Sequence, residues 1–328
     1  MDCYFAPMEG ITGYVYRKAH HRVYGGIARY YTPFIAPGQS KKLKSREMND
    51  ILPEHNQGIP VVPQVLTNRA EDFLWAAEKI QHLGYGEVNL NLGCPSGTVV
   101  SKNRGSGFLA MPEELDRFLG QVSRELERRG MKFSIKTRIG KNDPGEFVRL
   151  LKIFNQYPLQ SLIVHPRTQA DFYQNHPNWE AFWQAVEGSR NPLCYNGDIF
   201  SPEDAVAFKK SFPMVQAMML GRGLLRDPAL AEKITGAAAA ERTSSNNTDN
   251  PGLRRLKHFH HLLLSGYQEA IPGERNVLFK MKELWTYLGA GFENSDRPLK
   301  KIKKAKRIEE YLDATEQLFT EGSRIQML

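Results

Sequence analysis

The chain has 328 residues, 41% hydrophobic and 24% charged, with three cysteines and a formal net charge of +8. That balance belongs to a globular protein and excludes a disulfide-stapled miniprotein, and no apolar run reaches the length of a membrane span. The positive charge admits an anionic partner without identifying one.

The opening M-D-C-Y-F-A-P carries no basic n-region or apolar h-region. Cys3, Cys94 and Cys194 are too far apart for a zinc site and odd in number, so free thiols in a cytoplasmic, reducing compartment, with no metal and no membrane, are expected. Short β-rich runs then alternate with amphipathic segments as far as residue 235. Strands are expected at 3–5, 28–31, 61–66, 87–90, 133–137, 161–165, 192–196 and 217–220. Helices between them include 69–83, 112–129, 146–157 and 202–212. Eight such repeats predict an α/β fold, a (β/α)8 TIM barrel rather than an open doubly wound sheet.

The polar, low-complexity stretch 236–252 reads as a linker. Residues 253–328 show helical periodicity without strand signals, which predicts a smaller all-helical C-terminal domain. Within it Leu299, Ile302, Ala305, Ile308 and Leu312 form one helix face, and Lys300, Lys301, Lys303, Lys304, Lys306 and Arg307 cover the remainder. A solvated face is the ordinary fate of such a run; contact with a nucleic-acid backbone is the alternative.

The chain is organised around 89–107, N-L-N-L-G-C-P-S-G-T-V-V-S-K-N-R-G-S-G. Cys94 falls just past a strand end, between Gly93 and Pro95, in a loop too rich in Gly, Asn and Ser to pack as core. A chemical role for this thiol is therefore favoured over a buried structural one. In a TIM barrel the C-terminal strand ends converge on one mouth. Those positions carry Pro7, Met8 and Glu9 after the first strand, Gln64 after the third, and Asn91 and Cys94 after the fourth. Lys136 and Arg138 follow the fifth, His165 and Arg167 the sixth, Asn196-Gly197-Asp198 the seventh and Gly221-Arg222-Gly223 the eighth. The last two loops suit a phosphate, because glycine lets the backbone approach and Arg222 adds charge-assisted bonds. Lys136, His165 and Gln64 would line the space above the barrel, where a flat cofactor could lie. The G-x-G-x-x-A match at 105–110 does not directly follow a strand and lacks a βαβ unit with a placed acid, so it is not a dinucleotide fingerprint.

The blocks A-P-M-E-G-I-T-G, N-L-N-L-G-C-P-S-G-T-V-V-S-K, I-K-T-R-I-G, V-H-P-R-T, Y-N-G-D and L-G-R-G occur in the order found in the dihydrouridine synthases. The chain resembles that family over residues 1 to about 230. The resemblance implies FMN at the barrel mouth and reduction of a uridine in folded RNA, with NADPH (or NADH) as reductant. tRNA is the expected partner, ribosomal RNA the alternative, and the expected division is a catalytic barrel 1–235, a linker 236–252 and an RNA-binding domain 253–328 in a monomer. By the same resemblance Pro7, Met8, Glu9, Gln64 and Lys136 meet the flavin, with His165 close to it. Asn196, Gly197, Asp198, Gly221 and Arg222 look like the phosphate end, Asn91 and Arg167 like substrate contacts, and Cys94 like the proton donor. Lys300, Lys301, Lys303 and Lys304 become candidate RNA contacts in this context.

The residue types suit that chemistry. Hydride addition at uracil C6 develops an enolate, and C5 then needs a proton, which a thiol of pKa about 8.5 still carries at neutral pH. Glu9, Gly13, H-P-R-T and G-S-G-F-L depart from the commoner family pattern and leave the target uridine open. Three rival readings stand beside this one. They are a flavin barrel acting on a small molecule, an RNA-binding protein without catalysis, and a Cys94 that acts as nucleophile.

Overall fold

The computed structural model describes residues 1–38, 40–237, 251–293 and 295–321. Its strands are β1 (Asp2–Phe5), β2 (Ile27–Tyr31), β3 (Val61–Val62), β4 (Gln64–Val65), β5 (Glu87–Leu92), β6 (Lys132–Arg138), β7 (Ser161–His165), β8 (Leu193–Tyr195) and β9 (Ala217–Leu220). They form one parallel sheet in the order β3-β2-β1-β9-β8-β7-β6-β5-β4. The two ends of that order are neighbours in the chain. β3 and β4 are halves of the single strand expected at 61–66, split at Pro63, which has no N–H for the ladder. The Pro63 carbonyl still accepts from the Asn89 N–H at 2.9 Å. The sheet thus curls into a nearly closed barrel, and the expected TIM-barrel class is the one observed.

Period-two alternation sorts each strand between two cores. Cys3 and Phe5 of β1, Val88, Leu90 and Leu92 of β5, and Leu162 and Val164 of β7 face the surrounding helices. Tyr4, Tyr31, Ile163, Cys194 and Met219 fill part of the barrel interior. The helices Ala70–His82, Pro112–Arg128, Glu146–Phe154 and Pro202–Ser211 lie where the periodicity predicts them. Ser201 starts the last with a reciprocal cap, its hydroxyl accepting from the Asp204 N–H at 3.2 Å and the Asp204 carboxylate from the Ser201 N–H at 2.9 Å.

The expected join at 236–252 lies mostly outside the described residues. After it come the helices Pro251–Ala270, Glu274–Leu288, Asp296–Lys304 and Ile308–Glu321. The continuous helix face expected through 299–312 is corrected by the structure. The helix stops at Lys304, Ala305 turns extended (φ −53°, ψ 133°), and a new helix begins at Ile308. The Glu310 carboxylate holds the turn by accepting from the Lys306 N–H at 2.8 Å. Ile302 and Ala305 are buried, but Leu312 is 40% exposed, because the break changes the phase of the second helix.

Inside this helical region Tyr311 accepts from Trp285 Nε1 at 2.7 Å and meets His260 Nε2 at 2.6 Å. An indole only donates, so Tyr311 is the acceptor from Trp285, and burial pushes the His260 pKa down to about 3. The bundle docks on the barrel through Phe259 edge-on to Tyr16 at 5.4 Å and through Arg255, which reaches Glu232 at 2.9 Å and the Val23 carbonyl at 2.6 Å. Lys280 Nζ donates to the Gly10 carbonyl at 2.7 Å, which brings the helix Glu274–Leu288 over the C-terminal strand ends. No helix among the described residues is long and apolar enough to cross a membrane.

Candidate active site

Two adjoining cavities of about 400 Å³ and about 60 Å³ open at the C-terminal ends of the strands. The larger is lined by Pro7, Met8, Glu9, Gln64, Asn91, Cys94, Lys136, His165 and Arg222 among others. The smaller adds Asn196, Gly197, Asp198 and Gly221 to a wall it shares, made of Pro7, Met8, Lys136, His165 and Arg222. The mouth thus brings together residues far apart in sequence, from Pro7 to Tyr287.

The loop that carries Cys94 is held from every side. Asn91 Oδ1 accepts from the Gly93 and Cys94 N–H groups at 3.0 and 2.9 Å, and Arg138 Nε donates to the Gly93 carbonyl at 3.0 Å. The Cys94 carbonyl accepts from the Ser106 N–H at 3.1 Å and the Ser106 hydroxyl at 2.8 Å. Gly105 makes this approach possible: its φ is +56°, and a Cβ there would lie 2.7 Å from the Cys94 oxygen. The glycine-rich stretch after the thiol is therefore a packing element. The Cys94 side chain is half-buried, and burial pushes its pKa up; the Ser96 N–H opposes this, Glu9 adds to it, and Arg138 and Lys136 oppose it. The net direction keeps the thiol protonated at neutral pH. Glu9 pairs with Arg46 at the rim, and burial raises its carboxyl above the usual range.

The cations of the mouth are not equivalent. Arg138 is spent on structure, donating to the Gly93, Thr168 and Phe172 carbonyls. Arg167 is 1% exposed and lines neither cavity. It donates to the Gln174 and Asn175 carbonyls, to both Asp198 oxygens at 3.0 and 2.6 Å, and toward His165 Nε2 at 3.1 Å. A guanidinium cannot accept, so Nε2 of His165 is the acceptor and the ring proton sits on Nδ1. Burial, then Arg138, Lys136, Arg167 and Arg222, push the His165 pKa well below its ordinary value. Asp198 also accepts from Arg222 at 2.6 Å; burial acts to raise its carboxyl, but the two guanidiniums hold it below the usual range. Lys136 differs from all of these, because its ammonium has no acceptor among the described residues. Burial and then Arg138 push its pKa down to about 8.

Lys300, Lys301, Lys303 and Lys304 are exposed on the helix Asp296–Lys304 and line neither mouth cavity. Three lining residues with polar groups escaped sequence reasoning, as did the apolar Pro33, Phe34 and Phe200. Tyr173 lines both cavities, with the guanidinium carbons of Arg222 and Arg138 at 5.0 and 5.5 Å from its ring centre. Glu283 and Tyr287 reach the larger cavity from the C-terminal helices. The only sequence signal for Tyr173 is an aromatic pair in the polar loop after V-H-P-R-T, and for the other two there is none.

A flat anionic cofactor with a phosphate fits this mouth. Lys136 offers an ammonium without a partner among the described residues, and Arg222 sits at the narrow end. Gly221 leaves a cradle there, where a Cβ would come 3.5 Å from Ala6 Cβ and Met8 Sδ. Among the described residues no group of His, Cys, Asp and Glu is arranged to hold a metal ion.

The family model for dihydrouridine synthase (Dus) matches residues 4–317. A probable tRNA-dihydrouridine synthase 1 of Synechocystis sp. is 28% identical over 232 residues, 70% of this chain and 63% of that protein, so the match spans less than two thirds of that relative. The tRNA-dihydrouridine(16) synthases of Ralstonia nicotianae and Pseudomonas putida are each 28% identical, over 72% of this chain and 73% and 74% of theirs. A morphinone reductase variant in complex with tetrahydroNAD shares the fold at a TM-score of 0.51 and 13% identity, covering 73% of this chain and 87% of that one. Histamine dehydrogenase from Rhizobium sp. 4-9 does so at 0.52 and 10%, covering 71% and 45%.

Proposed function

The chain belongs to the dihydrouridine synthase family, and on that premise we propose that it is an FMN-dependent oxidoreductase that reduces the C5=C6 bond of a uridine in tRNA. The observation that carries this reading is the meeting, in one mouth, of the protonated Cys94 thiol and the Lys136 ammonium, which has no acceptor among the described residues, beside the Gly221–Arg222 cradle.

Pro7, Met8, Glu9, Gln64 and Lys136 would hold the flavin, with His165 beside it, and Asn196, Gly197, Asp198, Gly221 and Arg222 its phosphate end. Bound FMN supplies the hydride that enters at uracil C6, at the expense of NADPH or NADH. The remaining work falls to this chain. Asn91 holds the Cys94 loop through the Gly93 and Cys94 N–H groups, and the thiol gives its proton to C5 as the enolate collapses. Lys136 and Arg138 stabilise the thiolate left behind until solvent reprotonates it. Arg167 serves through His165 and Asp198, which it orients, rather than by touching the substrate. The uridine leaves its stack to reach the mouth, at a cost of a few kcal/mol, and binding of the RNA backbone offsets that cost. In this division of labour the barrel 1–235 is catalytic. Residues 253–328, with Lys300, Lys301, Lys303 and Lys304 outward, bind RNA beyond the 236–252 join, in a cytoplasmic monomer.

The test is purified protein incubated with FMN, NADPH and unmodified tRNA or ribosomal RNA, followed by nucleoside mass spectrometry. Dihydrouridine in tRNA supports the proposal, and dihydrouridine only in ribosomal RNA overturns the substrate while keeping the chemistry. Failure with both RNAs, together with reduction of small conjugated carbonyls, would replace this reading with the small-molecule one.

A further inference from the structure

One side of the barrel interior is not apolar. A line of side chains crosses it from the N-terminal end of β5 to the Cys94 loop. Arg29 Nη1 donates to Glu87 Oε2 at 2.7 Å, and the Ser134 hydroxyl donates to Glu87 Oε1 at 2.7 Å. Asn89 Nδ2 donates to Ser134 Oγ at 3.0 Å, Gln64 Nε2 to Asn89 Oδ1 at 2.7 Å, and Asn91 Nδ2 to Gln64 Oε1 at 2.7 Å. Asn91 Oδ1 then accepts from the Gly93 and Cys94 N–H groups. Gln64, Asn89 and Ser134 are fully buried, so water cannot substitute for a lost partner.

The direction of such a relay is not free. Each carboxamide has a donor end and an acceptor end, and each hydroxyl has one proton. At the top, two backbone N–H groups can only donate, which turns the Asn91 oxygen toward Cys94. At the bottom, a carboxylate can only accept, which draws the Ser134 proton to it and leaves the Ser134 lone pairs for Asn89. Both ends demand the same orientation of all three carboxamides. We propose that Glu87 is a positioning residue for the reactive loop: through Ser134, Asn89 and Gln64 its carboxylate sets which end of Asn91 faces Cys94.

The inference rests on the reading of Cys94 as the reactive group, but its test does not require the reaction. In Glu87→Gln the Arg29 guanidinium, a pure donor, claims the new amide oxygen and turns the amide NH2 toward Ser134. Ser134 Oγ then divides its two lone pairs between two NH2 donors while its own buried proton has lost its acceptor in the relay, and the loosened hold on Asn89 passes through Gln64 to Asn91. Adding Arg29→Met frees the new amide to turn its oxygen back to Ser134. A role confined to the lost ion pair predicts no such recovery.

The measurement is amide hydrogen exchange at Gly93 and Cys94 by NMR on the full chain, beside single-turnover reduction of tRNA. E87Q speeds exchange at these two amides by roughly tenfold, the worth of one buried hydrogen bond, and slows reduction by a similar factor with KM for tRNA unchanged. R29M E87Q returns exchange to within about threefold of the parent. Unchanged exchange in E87Q, or a double variant no better protected than E87Q, overturns the proposal. If E87Q does not fold, Ser134→Ala cuts the relay without reversing it. Adding E87Q to S134A then alters exchange by less than about twofold, and a larger change overturns the proposal. A parent protein that forms no dihydrouridine refutes the functional reading and leaves the relay to be decided by exchange alone.

Discussion

Replacing Lys136 by Met makes the cofactor-free protein more stable and a poorer host for FMN. The ammonium has no acceptor among the described residues, and burial pushes its pKa from 10.5 down to about 8. That difference corresponds to about 3 kcal/mol against the charged form at 1.36 kcal/mol per unit. Lys136 still meets the cavity, and solvent there reduces the figure to about 2 kcal/mol. The folded-state value lies below the unfolded one, so the penalty is full below pH 8. It is relieved between pH 8 and 10.5, and over that window this group makes stability rise with pH. Met keeps the length and volume of the side chain. Cofactor-free K136M is therefore expected to gain about 2 kcal/mol at pH 7 and to lose the alkaline rise, as urea unfolding at a series of pH values would record. Flavin fluorescence quenching should show FMN binding weakened by about tenfold or more, the ordinary exchange of function for stability. A variant no more stable than the parent at pH 7, or one that keeps the alkaline rise, refutes the argument that Lys136 is an unpaired cation held for a ligand.

Cys94→Ala should lower dihydrouridine formation by about 10²–10⁴-fold with FMN content unchanged, as mass spectrometry of the product and the visible spectrum would report. A covalent adduct between the parent and unmodified RNA would make Cys94 a nucleophile instead. Asp198→Asn strands the buried Arg167 and should cost about 3 kcal/mol in urea unfolding. The depressed Asp198 carboxyl contributes stability that is present above the unfolded value near about 3.9 and is lost as pH falls through the folded one, so D198N should show a shallower acid limb. Reversing the charge of Lys300, Lys301, Lys303 and Lys304 should weaken tRNA binding and reduce the slope of log affinity against log salt by about 0.9 for each phosphate that is no longer neutralised. Unchanged affinity and slope would return that run to an ordinary solvated face.

Period-two apolar runs separated by amphipathic helices suffice for the parallel barrel, because a strand that faces helices outside and side chains inside must alternate. The glycine-rich loops at the strand ends marked the mouth for the same local reason: backbone that approaches a ligand or turns sharply needs residues without a Cβ. Cys94, Lys136 and the N-G-D and G-R-G loops were legible in this way. What the pattern could not supply was partnership. The sequence holds Gln64, Glu87, Asn89 and Ser134 as four ordinary polar positions, and only the register of β4, β5 and β6 stacks them into one relay. Arg167 reads like a substrate contact until the fold closes Asp198 and two carbonyls around it. Tyr173 sits in irregular backbone, and Glu283 and Tyr287 arrive from one helix, Glu274–Leu288, more than a hundred residues beyond the Cys94 loop. The helix break at Ala305 likewise opposes a locally good helical period. Local propensity is a sum over near neighbours, whereas hydrogen-bond direction and burial are set by groups that meet only when the chain has folded.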